Sequence, residues 1–181
     1  MKLKYLLSLV LLIPPAPQVL EVSANAVGII RVQSQPKIDL SNRLVTQAQS
    51  WVGREFKPGQ SARCADFVRS VAAEIGVQLP ITKDPIDKET PNPETANSFF
   101  GNDIGQIISD PDQLKPGDLV AFGGTYGGYP ASTITHVGIY IGNGQMIDRP
   151  TANEPVKQRP ISTFKHFVAG VKMHAVYFAN N

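Results

Sequence analysis

Two hydrophobic periods divide this chain, and their order restricts its fold more than any other feature. Between residues 40 and 75 apolar side chains recur three and four positions apart, whereas after residue 105 they alternate or run in short blocks between Gly- and Pro-rich turns. The first period puts one apolar stripe on a helix, and the second builds strand faces. Leu40, Leu44, Val45, Ala48 and Trp51 or Val52 predict a helix over 40–52, capped by Asp39 or Ser41 and ended by Gly53. Cys64, Phe67, Val68, Val71, Ala72 and Ile75 predict a second helix over 62–75, closed by Gly76. Strands are expected over 105–109, 118–122 and 135–142, then at the QMID segment 145–148, with one or two more within 156–161 and 167–178. Helices first and an antiparallel meander afterwards is an α+β order, with N-terminal helices packed on a small antiparallel β-sheet.

The stretch between these halves, residues 79–103, is rich in proline and has room for one short helical turn over 95–100. It reads as a long surface excursion. Such loops often form functional rims, and an insertion without a role fits the composition equally well.

The chain opens with Lys2 and Lys4, an apolar run from Tyr5 to Ile13, and the small-residue triplet Ala24-Asn25-Ala26. That pattern predicts a signal peptide over 1–26, too short in its apolar part to span a bilayer, and so a periplasmic or secreted protein with no membrane association after cleavage. Residues 27–38 then read as an arm or linker and 39–181 as one domain. Without Lys2, Lys4 and Glu21 the net charge is near +1. No basic run is interleaved with aromatics, which excludes nucleic acid as the expected partner.

Cys64 is the only cysteine in 181 residues. It cannot form an internal disulfide, so in an exported chain it is a small buried hydrophobe, a partner in an intermolecular disulfide or a reactive thiol. The first turn of a helix favours a thiolate, and the unpaired backbone N–H groups there can also receive a developing oxyanion. A nucleophilic thiol needs a base, and the chain has three histidines. His136 opens a strand after a glycine-rich loop, where strand ends line clefts. His166 and His174 read as ordinary surface or partly buried histidines.

Three blocks in order, RCADFV, LKPGDLVAF and THVGIYIGNGQMID, resemble the signature segments of the NlpC-type peptidoglycan endopeptidases, papain-like cysteine peptidases related to the CHAP amidases. The likeness covers roughly residues 40–148 and implies a papain-like α+β domain that hydrolyses amide bonds in peptidoglycan stem peptides through a thioester. It implies Cys64 as nucleophile, His136 as base and Asp148, twelve positions on, as the residue that orients the imidazole. Asp148 can do this only in one hairpin register. A three-residue Gly142-Asn143-Gly144 loop sets Gly138 opposite Asp148 and puts His136 and Asp148 on one face; a two-residue Asn143-Gly144 turn sends Asp148 to the other.

The chain departs from the family pattern beside the nucleophile. Where members often read Asp-Cys-Ser-Gly, with the acidic residue binding a free amine, this chain has Arg63, Ala65 and Asp66 around Cys64. Arg63 suits a carboxylate-bearing substrate group, and Asp66 either faces substrate or stabilises the helix dipole. Members also carry a tyrosine upstream that serves the oxyanion. The nearest aromatics here, Trp51 and Phe56, have no phenolic hydroxyl, so either another donor such as Gln60 or Ser61 replaces it or oxyanion stabilisation is weaker. Tyr126 and Tyr129, set among glycines, form a candidate rim for stacking on substrate.

Neither the spacing nor the resemblance implies a metal or cofactor. A peptidoglycan or peptide substrate and a monomeric state are expected. The rival readings are a CHAP-like amidase or acyltransferase on another amide, and a catalytically silent wall-binding module of the same fold.

Overall fold

The computed structural model describes residues 40–55, 63–150 and 153–178. The expected leader, the arm, Asp39, Phe56, Gln60, Ser61 and Ala62 lie outside the described residues.

Helix α1 spans Leu40–Ser50 and helix α2 spans Cys64–Glu74. The first ends two residues earlier than its periodicity predicts, because Trp51 belongs to the following turn. Gly53 there donates to the carbonyl of Val156 at 2.9 Å, tying the helix end to the entry of a distant strand. α2 closes on Gly76, whose φ of +83° only glycine adopts cheaply. Its N–H donates to Ala73 and that of Val77 to Ala72, each at 2.9 Å, the paired bonds of a Schellman motif.

Six strands follow: β1 Gly105–Ile108, β2 Leu119–Gly123, β3 Ile134–Gly142, β4 Gln145–Asp148, β5 Lys157–Pro160 and β6 Phe167–Met173. They form one antiparallel sheet in the order β1-β6-β2-β3-β4-β5. The expected meander holds from β2 to β5, but β6 returns across the sheet and inserts between β1 and β2. Each strand alone carries the same alternation wherever it sits, so strand order is not written in local pattern.

One face of the sheet and the two helices enclose the main core, with Leu44, Phe67, Val68, Val71, Ile139, Ile147 and Val171 all essentially inaccessible. The opposite face carries a second cluster around Val120, Phe122 and Met146, against which Phe164 and Phe167 pack. Residues 119 to 122 of β2 thus bury both faces, which explains their unbroken apolar run.

The excursion between the helices and the sheet is tied at both ends. Arg69, projecting from α2, donates to the carbonyls of Leu79 (2.5 Å), Pro80 (3.4 Å) and Pro93 (3.1 Å) and to Ser98 Oγ (2.9 Å). Asp87 accepts from the Ile134 N–H at 2.9 Å and from Asn97 Nδ2 at 3.1 Å, fixing the loop to the first residue of β3.

The β3–β4 hairpin resolves the register question by a route the sequence reading did not include. Gly142 faces Gln145 across a two-residue turn, with Asn143 and Gly144 both at positive φ (+52° and +67°). That turn alone would carry Asp148 to the wrong face. A bulge between Tyr140 and Gly142 adds one residue to β3, restoring the pairs Tyr140 with Met146 and Ile139 with Ile147. The three-residue loop is therefore corrected to a turn plus bulge, and Gly138 still falls opposite Asp148.

Candidate active site

One end of the sheet gathers the start of β3, the ends of β2 and β4 and the start of β5. His136 is the third residue of β3, pairs across the strands with Phe122, and lies with its ring 4.6 Å from that of Phe164. Asp148 ends β4 and is wholly buried. Its Oδ2 is 2.5 Å from His136 Nε2. Its Oδ1 forms an ion pair with Arg159 Nε at 3.0 Å. A carboxylate taken fully out of water needs opposite charge close by: here Oδ2 has a hydrogen-bond partner, whereas Oδ1 has the Arg159 charge at 3.0 Å without an aligned hydrogen bond.

Cys64 is the first residue of α2, a free and partly exposed cysteine. Arg63 precedes it in extended backbone, its N–H donating to Asp66 Oδ2 at 3.3 Å, which is half of a capping box. The helix start and the sheet end together open a cleft of about 730 Å³ lined by Arg63, Cys64, Tyr126, His136, Arg149 and Arg159 among others. The tied excursion supplies another wall through Glu89, Thr90, Glu94 and Thr95.

Electrostatics inside the cleft centre on His136. Burial works against its charged form, but the hydrogen bonds to Asp148 and Cys64 and the charges of both outweigh that penalty and raise its pKa to about 9. Tyr126 is shifted upward by burial first, then by Cys64 and Tyr129, while Arg63 pulls it down. The phenol therefore lies within electrostatic reach of the thiol, although the ring is 62% exposed. Tyr129 packs edge-on against it with centroids 5.7 Å apart. Arg149 is buried on the cleft wall, where desolvation lowers its pKa and the charge of Asp66 raises it.

The structure thus brings Cys64, His136, Asp148, Arg63, Tyr126 and Tyr129 to one cleft. Asp66 stays beneath, in the first turn of α2, and does not line the cleft; it caps the helix and faces Arg149. Arg63 is paired with Glu94 across the cleft mouth at 3.4 Å. His166 and His174 are exposed and elsewhere: the first accepts from the Gly123 N–H through its carbonyl, and the second places Nε2 2.9 Å from the Asn102 carbonyl. Arg149, Arg159 and Phe164 were not anticipated. The available signal was the segment KQRP, whose alternation places Lys157 and Arg159 on the strand face that also holds Asp148.

This geometry has counterparts in known proteins. The Probable endopeptidase p60 of Listeria innocua is 35% identical over 109 residues, covering 58% of this chain and 19% of that protein. The Murein DD-endopeptidase MepS/Murein LD-carboxypeptidase of Escherichia coli K12 is 28% identical over 121 residues, 64% of this chain and 53% of that protein. The chain therefore spans about a fifth to about half of the length of these curated relatives. Among solved structures, the NlpC/p60 domain of the peptidoglycan hydrolase SagA superposes with a TM-score of 0.53 at 23% identity, over 74% of this chain and 98% of that one, a likeness of fold. The model of the NlpC/P60 family matches residues 49–172, from the end of α1 into the last strand, so the segment that builds the sheet, the cleft and the buried His136–Asp148 pair is that family's domain, and the chain belongs to the NlpC/P60 family.

Proposed function

We propose that this protein is a cysteine endopeptidase that hydrolyses amide bonds in peptidoglycan stem peptides. The observation that carries the reading is the buried Asp148 carboxylate 2.5 Å from His136 Nε2, in the same cleft as a free thiol at a helix start. An acceptor on Nε2 holds the proton there, which leaves Nδ1 to take the proton of Cys64. The thiolate then attacks the carbonyl carbon, and the oxyanion is received by backbone N–H groups of the first turn of α2. Protonated His136 gives its proton to the departing amine, leaving a thioester on Cys64. Water, deprotonated by His136, releases the new carboxylate and restores the thiol. The charged imidazolium of the intermediate steps is what Asp148 stabilises.

Arg63 sits where relatives of the Asp-Cys-Ser-Gly type carry an acidic residue, and favours a substrate carboxylate in exchange for Glu94. Tyr126 and Tyr129 stack on the substrate at the cleft rim, and Asp66 supports this wall from below. The names of the relatives, an endopeptidase and a murein DD-endopeptidase, support peptidoglycan as the substrate and the cell envelope as the location. The protein acts as an exported monomer after removal of residues 1–26.

Purified sacculi incubated with the protein and with Cys64→Ala test the reading, with released fragments identified by mass spectrometry. New stem-peptide termini are expected with the parent alone. The same fragments from both proteins would sink it.

A further inference from the structure

We propose that Arg159 is a positioning residue for the His136–Asp148 pair, the fourth side chain of a relay running Cys64, His136, Asp148, Arg159. The inference rests on the reading of Cys64 and His136 as nucleophile and base. His136 engages only one oxygen of Asp148; the other is equally buried and demands its own compensation. Arg159 Nε supplies charge at 3.0 Å, an ion pair whose N–H is not aligned for a hydrogen bond in this resting geometry. The Arg159 guanidinium lies 5.7 Å from the Phe164 ring, and that ring lies 4.6 Å from the imidazole, so one aromatic side chain locates both cations of the relay.

Strand register makes the arrangement specific. β4 pairs with β5 so that Arg159 faces Met146 and Lys157 faces Asp148, yet Lys157 turns to Glu154 and the diagonal arginine takes the carboxylate. The other charged and titratable groups around the pair include Cys64 and Arg63 at the start of α2, Tyr126 from the β2–β3 loop, Arg149 beside Asp148, and Glu154, whose carboxylate feels the charges of both Lys157 and Arg159. With Oδ1 anchored, Oδ2 is aimed at Nε2 and the imidazole is held with its other nitrogen toward the thiol.

The test reads Cys64 alkylation by iodoacetamide against pH, which needs no wall substrate, alongside kcat and KM on wall fragments. Arg159→Met is expected to alkylate at least about tenfold more slowly near pH 6.5 and to lose at least about tenfold in kcat, with KM within about twofold of the parent. Arg159→Lys keeps the cation but not the planar guanidinium beside Phe164, and is expected to recover part of both losses. Lys157→Met removes the same charge from the same strand and is expected to match the parent. If Arg159→Met does not fold, Arg159→Lys decides, since a parental alkylation profile there overturns the proposal. So does a parental profile in Arg159→Met with only KM raised, which makes Arg159 a substrate contact, or an equal loss in Lys157→Met, which makes the effect one of net charge. His136→Ala run in parallel separates the two readings: unchanged alkylation there sinks the Cys64–His136 pairing, and this proposal with it.

Discussion

His136 carries most of the site's chemistry in a single side chain, and its titration is visible to folding as well as to catalysis. Burial opposes its charge, yet Asp148 and Cys64 raise its pKa from 6.5 to about 9. The folded chain therefore holds a proton that the unfolded chain releases between those values. The resulting stability is fully present below about pH 6.5 and is lost as pH rises through about 9. Urea melts across this window should show the parent losing up to about 3 kcal/mol on the alkaline side. Asp148→Asn removes one of the two raising partners and leaves Cys64, so its stability, whatever its absolute level, should vary less between the same two pH values. Equal slopes in parent and variant would mean that the pair does not hold the imidazolium. The family resemblance implied both residues, and twelve positions across one hairpin is a distance whose facing strand geometry can check. It did not name Arg159, since an arginine in a short polar edge strand reads as solvated until Phe164 and Asp148 are seen to close over it.

At the scale of elements, the β3–β4 hairpin shows how two local devices set one catalytic geometry. The turn puts Asn143 and Gly144 at positive φ, and the bulge at Ile141 restores the face that the turn alone would lose. The Gly-Asn-Gly triplet announces a tight hairpin, but whether an extra residue is absorbed in the loop or in the strand depends on how Tyr140 pairs with Met146, which is a tertiary matter. Gly144 has open space where a Cβ would go, so the cost of replacing it is conformational rather than steric. Gly144→Val should destabilise the fold by about 1–2 kcal/mol, measured as a lower urea midpoint. Because the bulge sets the register, Cys64 alkylation per folded molecule should stay at the parental rate. A fall in reactivity of the folded fraction would show that the turn, not the bulge, aims Asp148.

Across the whole molecule, the cleft is assembled from segments far apart in the chain, and the physical reason it holds together is most exposed at Arg69. The helices, the sheet and their antiparallel pairing were legible because each rests on a short period. The return of β6 between β1 and β2 and the path of residues 79–100 were not, because neither is encoded within a segment. Arg69 fixes that path: its guanidinium meets carbonyls at Leu79, Pro80 and Pro93 and the hydroxyl of Ser98, and lies 4.5 Å over the Phe99 ring. Asp87 anchors the far side to β3, two residues before His136. Arg69→Met keeps the apolar stem over Phe99 and removes every donor, leaving the buried Ser98 hydroxyl and the half-buried Leu79 and Pro80 carbonyls without this partner, at no more than about 1–3 kcal/mol each and less where water reaches them. The Glu89-to-Thr95 wall should then loosen while the His136–Asp148 pair, held by β3, β4 and Arg159, stays in place. KM for wall fragments should rise several-fold with kcat nearly unchanged, and limited proteolysis should cut between residues 80 and 95 in the variant but not in the parent. A fall in kcat at constant KM would place the role of Arg69 in the packing of α2 beneath Cys64 instead of in the wall of the cleft.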